Sequence, residues 1–155
     1  MITLSRTDSG NPDFQKLVAD LDKDLKIRDG EDHSFFAQFN KIDLVKYVIV
    51  AYRDGEAVGC GAIKQYDEQV MEIKRMYVPP ASRGQGIASQ ILTALEHWAA
   101  ELHFSACILE TGEKQPEAIQ LYKKNNYVVI PNYGQYTAVP TSICFEKKLA
   151  HHGRS

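Results

Sequence analysis

A chain of 155 residues, 44% apolar and 25% charged, has the size and composition of one globular domain that buries its core without disulfides or metals. Its 18 basic and 20 acidic residues leave a formal charge of -2, and the basic ones are scattered, which argues against an electrostatic nucleic-acid binder. The longest apolar run, Tyr47–Tyr52, is far too short to span a bilayer, and the first ten residues contain no signal-peptide core.

Cys60, Cys107 and Cys144 are odd in number, far apart and set among apolar residues, with no CxxC pair. Neither a disulfide framework nor a zinc site is suggested. The expectation is therefore buried thiols, a cytoplasmic location, no metal, and neither nucleic acid nor membrane as a partner. The oligomeric state is open, and a homodimer is compatible with the sequence.

In chain order, Ile2–Leu4 reads as a short first strand. Asn11-Pro12 resembles a helix N-cap followed by proline at the first helical position. Phe14, Leu17, Val18, Leu21 and Leu25 recur at helical spacing, which predicts a helix over 12–27. Its opposite face, with Asp20, Lys23, Asp24 and Lys26, is expected to be solvated. Glu31–Asn40 is read as a second, shorter helix. Arg53-Asp54-Gly55 between Lys46–Tyr52 and Glu56–Tyr66 is a hairpin signal.

Val70–Val78 is the next strand, and residues 86–103 form a periodic helix whose stripe includes Ile87, Ile91, Leu92, Leu95 and Ala99. Ser105–Glu110 is an unalternated apolar run, as in a strand covered on both faces. A helix over Pro116–Asn125 and strands at Tyr127–Ile130 and Ser142–Leu149 complete the chain. The predicted order is β-α-α-β-β-β-α-β-α-β-β, an α/β domain over residues 1–149 with a mostly antiparallel mixed sheet and one parallel βαβ unit. Residues 150–155 read as a disordered tail.

The segment Tyr77–Leu92 poses a chemical question. A strand ends at Pro79-Pro80, a turn holding Arg83, Gly84 and Gly86 follows, and a helix begins. The dinucleotide fingerprint fits poorly: five residues separate Val78 from Gly84, and Ser89 stands where a third glycine belongs. A Walker loop would need Gly-Lys-Ser/Thr, which is absent. What remains is an anion cradle of backbone N–H groups at a helix N-terminus, with Arg83 adding charge.

Here the chain resembles a known family. Arg83-Gly84-Gln85-Gly86-Ile87-Ala88, following Glu72–Ser82, is similar to the acetyl-CoA motif of the GCN5-related N-acetyltransferases (GNAT). Gln115–Tyr127 is similar to the family's later motif, with Gln115 in place of its usual Asn and Asn126-Tyr127 in place of Gly-Phe. Together, with the strand order, they cover roughly residues 45–149.

The resemblance implies acetyl-CoA as co-substrate, held by the backbone of Arg83, Gly84, Gln85, Gly86, Ile87 and Ala88. It also implies that the Glu72–Val78 strand, through Met76, Tyr77 and Val78, pairs with the pantetheine arm. Gln115 would be a further contact. Thr111 would either touch the coenzyme or end its strand.

The implied reaction is direct attack of an amine on the thioester. Glu72 matches the position of the catalytic glutamate of some members, with a salt bridge or a sheet-edge charge as the plain alternative. Tyr122 matches the general-acid tyrosine, with core packing as its alternative. Glu72 and Lys74 should share one strand face, with Arg75 on the other.

The acceptor side would use the early helices and the late loop, which makes His33, Tyr133 and Tyr136 the candidates. His33, His97 and His103 are isolated, and surface or capping roles are favoured for all three. A small-metabolite amine is the favoured acceptor. A protein lysine or N-terminus, and a non-catalytic acyl-CoA sensor on the same fold, are the alternatives.

Overall fold

The computed structural model describes residues 1–29 and 45–149. The expected Glu31–Asn40 helix, His33 and the tail at 150–155 lie outside the described residues.

Seven strands form one sheet: β1 (Ile2–Thr7), β2 (Tyr47–Arg53), β3 (Glu56–Gln65), β4 (Val70–Tyr77), β5 (Ala106–Gly112), β6 (Val128–Ile130) and β7 (Ser142–Lys148). Their spatial order is β1-β2-β3-β4-β5-β7-β6, and among the described residues only β4 and β5 are parallel. Helix α1 (Pro12–Asp29) precedes β2, α2 (Ile87–Glu101) makes the crossover between β4 and β5, and α3 (Pro116–Lys124) follows β5. Asn11 caps α1 as its sequence implied, its Oδ1 accepting from the N–H groups of Asp13 and Phe14 at 2.8 and 3.1 Å. The β2–β3 turn places both Asp54 and Gly55 at positive φ, 51° and 83°, the geometry that a tight hairpin between right-twisted strands requires.

The sheet separates two apolar layers. On one side Ile87, Ile91, Leu92 and Leu95 of α2 pack with Ile49, Ile63, Met71, Leu109, Tyr122 and Phe145. On the other, Phe14, Leu17 and Val18 of α1 pack on Val48, Val50, Cys60, Ala62 and Tyr77. Glu96 of α2 is buried yet satisfied. It accepts from the Tyr127 hydroxyl at 2.9 Å and from Lys147 Nζ at 2.8 Å, so a charged triad ties α2 to the far strands without leaving an unpaired acid.

The pairing of β2 with β3 is irregular between Ala51 and Tyr52, and a second departure from simple alternation lies in β4. Its register against β3 shifts between Cys60 and Ala62, whose partners are Tyr77 and Lys74, and Arg75 sits at φ 60°. This is a β-bulge with one extra residue on β4. Cys60 Sγ donates to the Arg75 carbonyl at 3.4 Å inside it. The bulge overturns the expected placement of Arg75 away from Glu72 and Lys74. Arg75 instead turns toward α1, where Nη1 meets Asp22 Oδ1 at 3.2 Å. Met76 is thereby sent to the α2 side, next to Gly61, where a Cβ would come within 2.5 Å of the Met76 sulfur.

Candidate active site

β4 and β5 pair only over Val70–Glu72 and Ala106–Ile108. Beyond Glu72 the strands part, β4 continuing along β3 through its bulge and β5 continuing along β7 to Gly112. A fork opens between them, and two adjoining depressions occupy it.

The larger, of about 450 Å³, runs along the β4 end and the start of α2, lined by Met76, Tyr77, Val78, Arg83, Gly84 and Gly86 and by Ile87, Ala88 and Ser89. Gly86 is the N-cap of α2 at φ 78°, Gly84 has φ 77°, and no side chain caps the helix. A Cβ built on either glycine meets nothing within 4 Å. The glycines are therefore needed for their left-handed backbone, not to make room for the protein's own side chains. That backbone presents the unpaired N–H groups of the first helical turn at the groove wall, where the helix dipole also favours an anion.

Arg83 and Lys124 add positive charge to the same groove. Arg83 is held in place: Nε donates to the Val78 carbonyl at 2.8 Å, Nη2 lies 3.7 Å from Asp24, and the guanidinium stands over the Tyr77 ring at 5.8 Å. Gln85 points elsewhere and accepts a hydrogen bond from Arg53 on the β2–β3 hairpin.

The smaller depression, of about 100 Å³, lies deeper in the fork. It is bordered by Glu72, Lys74, Arg75, Glu110, Thr111 and Tyr136. Glu72 is buried; its Oε2 accepts from the Tyr133 hydroxyl at 2.6 Å, and its Oε1 lies 3.8 Å from Lys74 Nζ. Glu110 accepts from the Ser142 hydroxyl at 2.7 Å. Tyr133 stacks edge-on with both Tyr66 and Tyr136. Burial, reinforced by the Glu72 carboxylate, drives the Tyr133 phenol well above its ordinary pKa, and burial with Glu110 does the same for Tyr136.

Leu21, Met76, Gln115, Ala118 and Tyr122 line both depressions. Tyr122 is buried against Tyr127 and Phe145, so its core-packing role and its place at the junction are both real. Burial first, and Glu110 second, raise its pKa, so the phenol is protonated at neutral pH and is a weaker acid than a free tyrosine.

Of the residues singled out from sequence, Glu72, Tyr133 and Tyr136 gather on the deep side, and Met76, Tyr77, Val78 and the glycine turn gather along the groove. Thr111 borders the deep cavity, not the groove, and does not end its strand, since it pairs with Ile143. Sequence reasoning missed Glu110, which carried no motif, and it assigned the polar face of α1 to solvent. Asp24 of that face reaches Arg83, and Asp22, which sequence reasoning did not single out, reaches Arg75. The unusual charge density of β4 was the available signal for such partners.

Among the described residues no His, Cys, Asp and Glu group is placed to hold a metal ion, and no described helix is long and apolar enough to cross a membrane. Cys60 and Cys107 are pushed up to about 12 by burial and are poor nucleophiles.

Residues 13–127 match the sequence profile of the Acetyltransferase (GNAT) family. The chain belongs to that family. An acetyltransferase of Azospirillum brasilense named IAA acetyltransferase is 40% identical over 102 residues, covering 65% of this chain and 67% of the relative. The crystal structure of a Klebsiella pneumoniae protein assigned as an acyl-CoA N-acyltransferase superposes with a TM-score of 0.81 at 30% identity, covering 97% of this chain and 99% of that one. A GNAT acetyltransferase from Elizabethkingia anophelis, 18% identical, shares the fold with a TM-score of 0.67 over 96% and 98% of the two chains, and its structure holds acetyl-CoA. The activity class is acetyl-CoA-dependent N-acetylation, which fits this GNAT chain better than a non-catalytic acyl-CoA binder.

Proposed function

We propose that this GNAT enzyme acetylates the amine of a small metabolite, with the coenzyme in the groove and the acceptor in the deep cavity. The observation that supports this reading is the fork between β4 and β5, where a backbone-built anion groove meets a small charged pocket and Tyr122 lines both. Acetyl-CoA supplies an activated acyl thioester with a diphosphate handle.

In this reading the N–H groups of the 83–88 turn hold the diphosphate, and the β4 edge released from β5 at Met76–Val78 pairs with the pantetheine arm. A β4 N–H there would polarise the thioester carbonyl as an oxyanion donor does. An alkylamine with pKa near ~10.4 is mostly protonated at neutral pH, and only its free form attacks. Glu72, oriented by Tyr133, removes the ammonium proton directly or through water. Tyr122 donates a proton to the departing thiolate, whose ordinary pKa is near ~8.5.

The test is release of free thiol from acetyl-CoA across a panel of small amines, repeated with Tyr122→Phe. Turnover is expected with at least one amine. The variant should lose about 100-fold in kcat, within the usual range for a general acid, while its acetyl-CoA Kd stays within about threefold. Equal losses in affinity and turnover would assign Tyr122 to packing alone.

A further inference from the structure

The charges bordering the deep cavity have both signs, and the bulge adds a second cation to them. Strict alternation along β4 would put Glu72 and Lys74 on the α1 side and turn Arg75 to the α2 side. The extra residue at φ 60° keeps Lys74 and Arg75 together on the α1 side, so two cations border the same cavity as Glu72 and Glu110. Lys74 is largely sheltered, with a side-chain exposure of 15%, and faces a Glu72 side chain at 11%. Such burial strengthens the field each charge exerts on an incoming group.

This arrangement discriminates among amines. An alkylammonium that carries nothing else is drawn by Glu72 but repelled by Lys74, which stands 3.8 Å from that carboxylate. A polycation meets the repulsion more than once. An acceptor that places a carboxylate beside its amine reverses the sign of the Lys74 contribution. Its two charges then match Glu72 and Lys74, which lie two residues apart on one strand face, about 6.5 Å along the chain. The Lys74–Glu72 separation is longer than a direct charged hydrogen bond. The Thr111 and Tyr136 side chains border the same space. The cavity's small volume, about 100 Å³, suits the compact head of such a molecule.

We propose that the acceptor is an aminocarboxylate, a free amino acid or close relative, whose carboxylate is selected by Lys74. This rests on the acyl-transfer reading above and narrows it to one class of acceptor. Lys74 binds and orients the acceptor and is not a proton-transfer group.

The experiment measures thiol release with the twenty common amino acids, each beside its methyl ester and its decarboxylated amine, which keep the nucleophile and remove the anion. At least one free amino acid should have a kcat/KM about tenfold or more above both of its matched amines, a discrimination typical of one buried charged contact. In Lys74→Met that ratio should fall toward one through KM, while calorimetry gives an acetyl-CoA Kd within about twofold of the native enzyme. Lys74→Arg should retain the preference and controls for misfolding of the Met variant. Plain amines, or the N-terminus of a short peptide, acetylated as well as amino acids would overturn the proposal and leave the acyl-transfer reading standing. An undiminished ratio in Lys74→Met would also overturn it. Tight acetyl-CoA binding with no thiol release from any compound would overturn the acyl-transfer reading itself, and the acceptor class with it.

Discussion

The groove beside α2 takes its shape from main chain, whereas the cavity next to it takes its shape from side chains delivered by β4, β5 and the 131–140 loop. The first is a continuous turn in which Gly84 and Gly86 hold left-handed backbone at the start of a helix. The second joins Glu72 to Tyr133 across 61 positions of sequence and Ser142 to Glu110 across 32. A site made of backbone is insensitive to most side-chain changes but fails when its few glycines are replaced. A site made of side chains can be altered one contact at a time.

The sharpest way to break this contrast is at Gly86. Gly86→Asp adds a negative charge at the helix N-terminus and forces a Cβ into left-handed backbone, which alone costs about 1–2 kcal/mol. Acetyl-CoA affinity should fall by about 100-fold or more in calorimetry, the combined effect of strain and like-charge repulsion at an anion site. Far-ultraviolet circular dichroism should be unchanged, because the new Cβ meets no other atom within 4 Å.

A change on the cavity side should do the opposite. Glu72→Gln is close to isosteric and keeps an acceptor for the Tyr133 hydroxyl, but it removes the proposed base. Steady-state kinetics should show kcat down by about 100-fold, at the lower end for general base loss, with the acetyl-CoA Kd within about twofold. A Kd that weakens in parallel would mean that the two parts are not separable.

The smallest effect concerns pH. Cys60, beneath the bulge, and Cys107 have folded pKa values of about 12 against an ordinary 9.0 because burial disfavours the thiolate. A pKa raised on folding gives stability that is present in full below the unfolded value and is lost as pH climbs through the folded one. The thermal midpoint should therefore decline steadily between pH 9.0 and about 12. The raised phenols of Tyr122, Tyr133 and Tyr136 act in the same direction. A midpoint that is flat or rising over that interval in a melting series would contradict the burial of these groups.

The same contrast explains what could be read in advance. The hairpin at Asp54-Gly55, the Asn11 cap and the α2 stripe are local patterns, and each appears where its residues imply. The glycine turn is likewise local, because a backbone conformation that only glycine adopts easily leaves its mark on the residues that form it. Nothing local announces the bulge at Arg75, since a lysine-arginine pair in a strand fits either face until the register against Cys60 and Ala62 is known. Glu110 and Ser142 gave no signal because their pairing exists only once β5 and β7 are aligned. The polar face of α1 looked solvated for the same reason: Asp24 acquires its partner only when the glycine turn is brought against it, as Asp22 beside it does when β4 is.

The central claim is that main-chain amides at the start of α2 hold the diphosphate and so point the thioester into the fork. Backbone hydrogen exchange with and without saturating acetyl-CoA tests it directly. The account predicts slowed exchange concentrated at Gly84–Ser89, with a second protected stretch at Met76–Val78. Full occupancy that leaves the Gly84–Ser89 amides exchanging at their unliganded rate, with protection elsewhere in the chain, would contradict it.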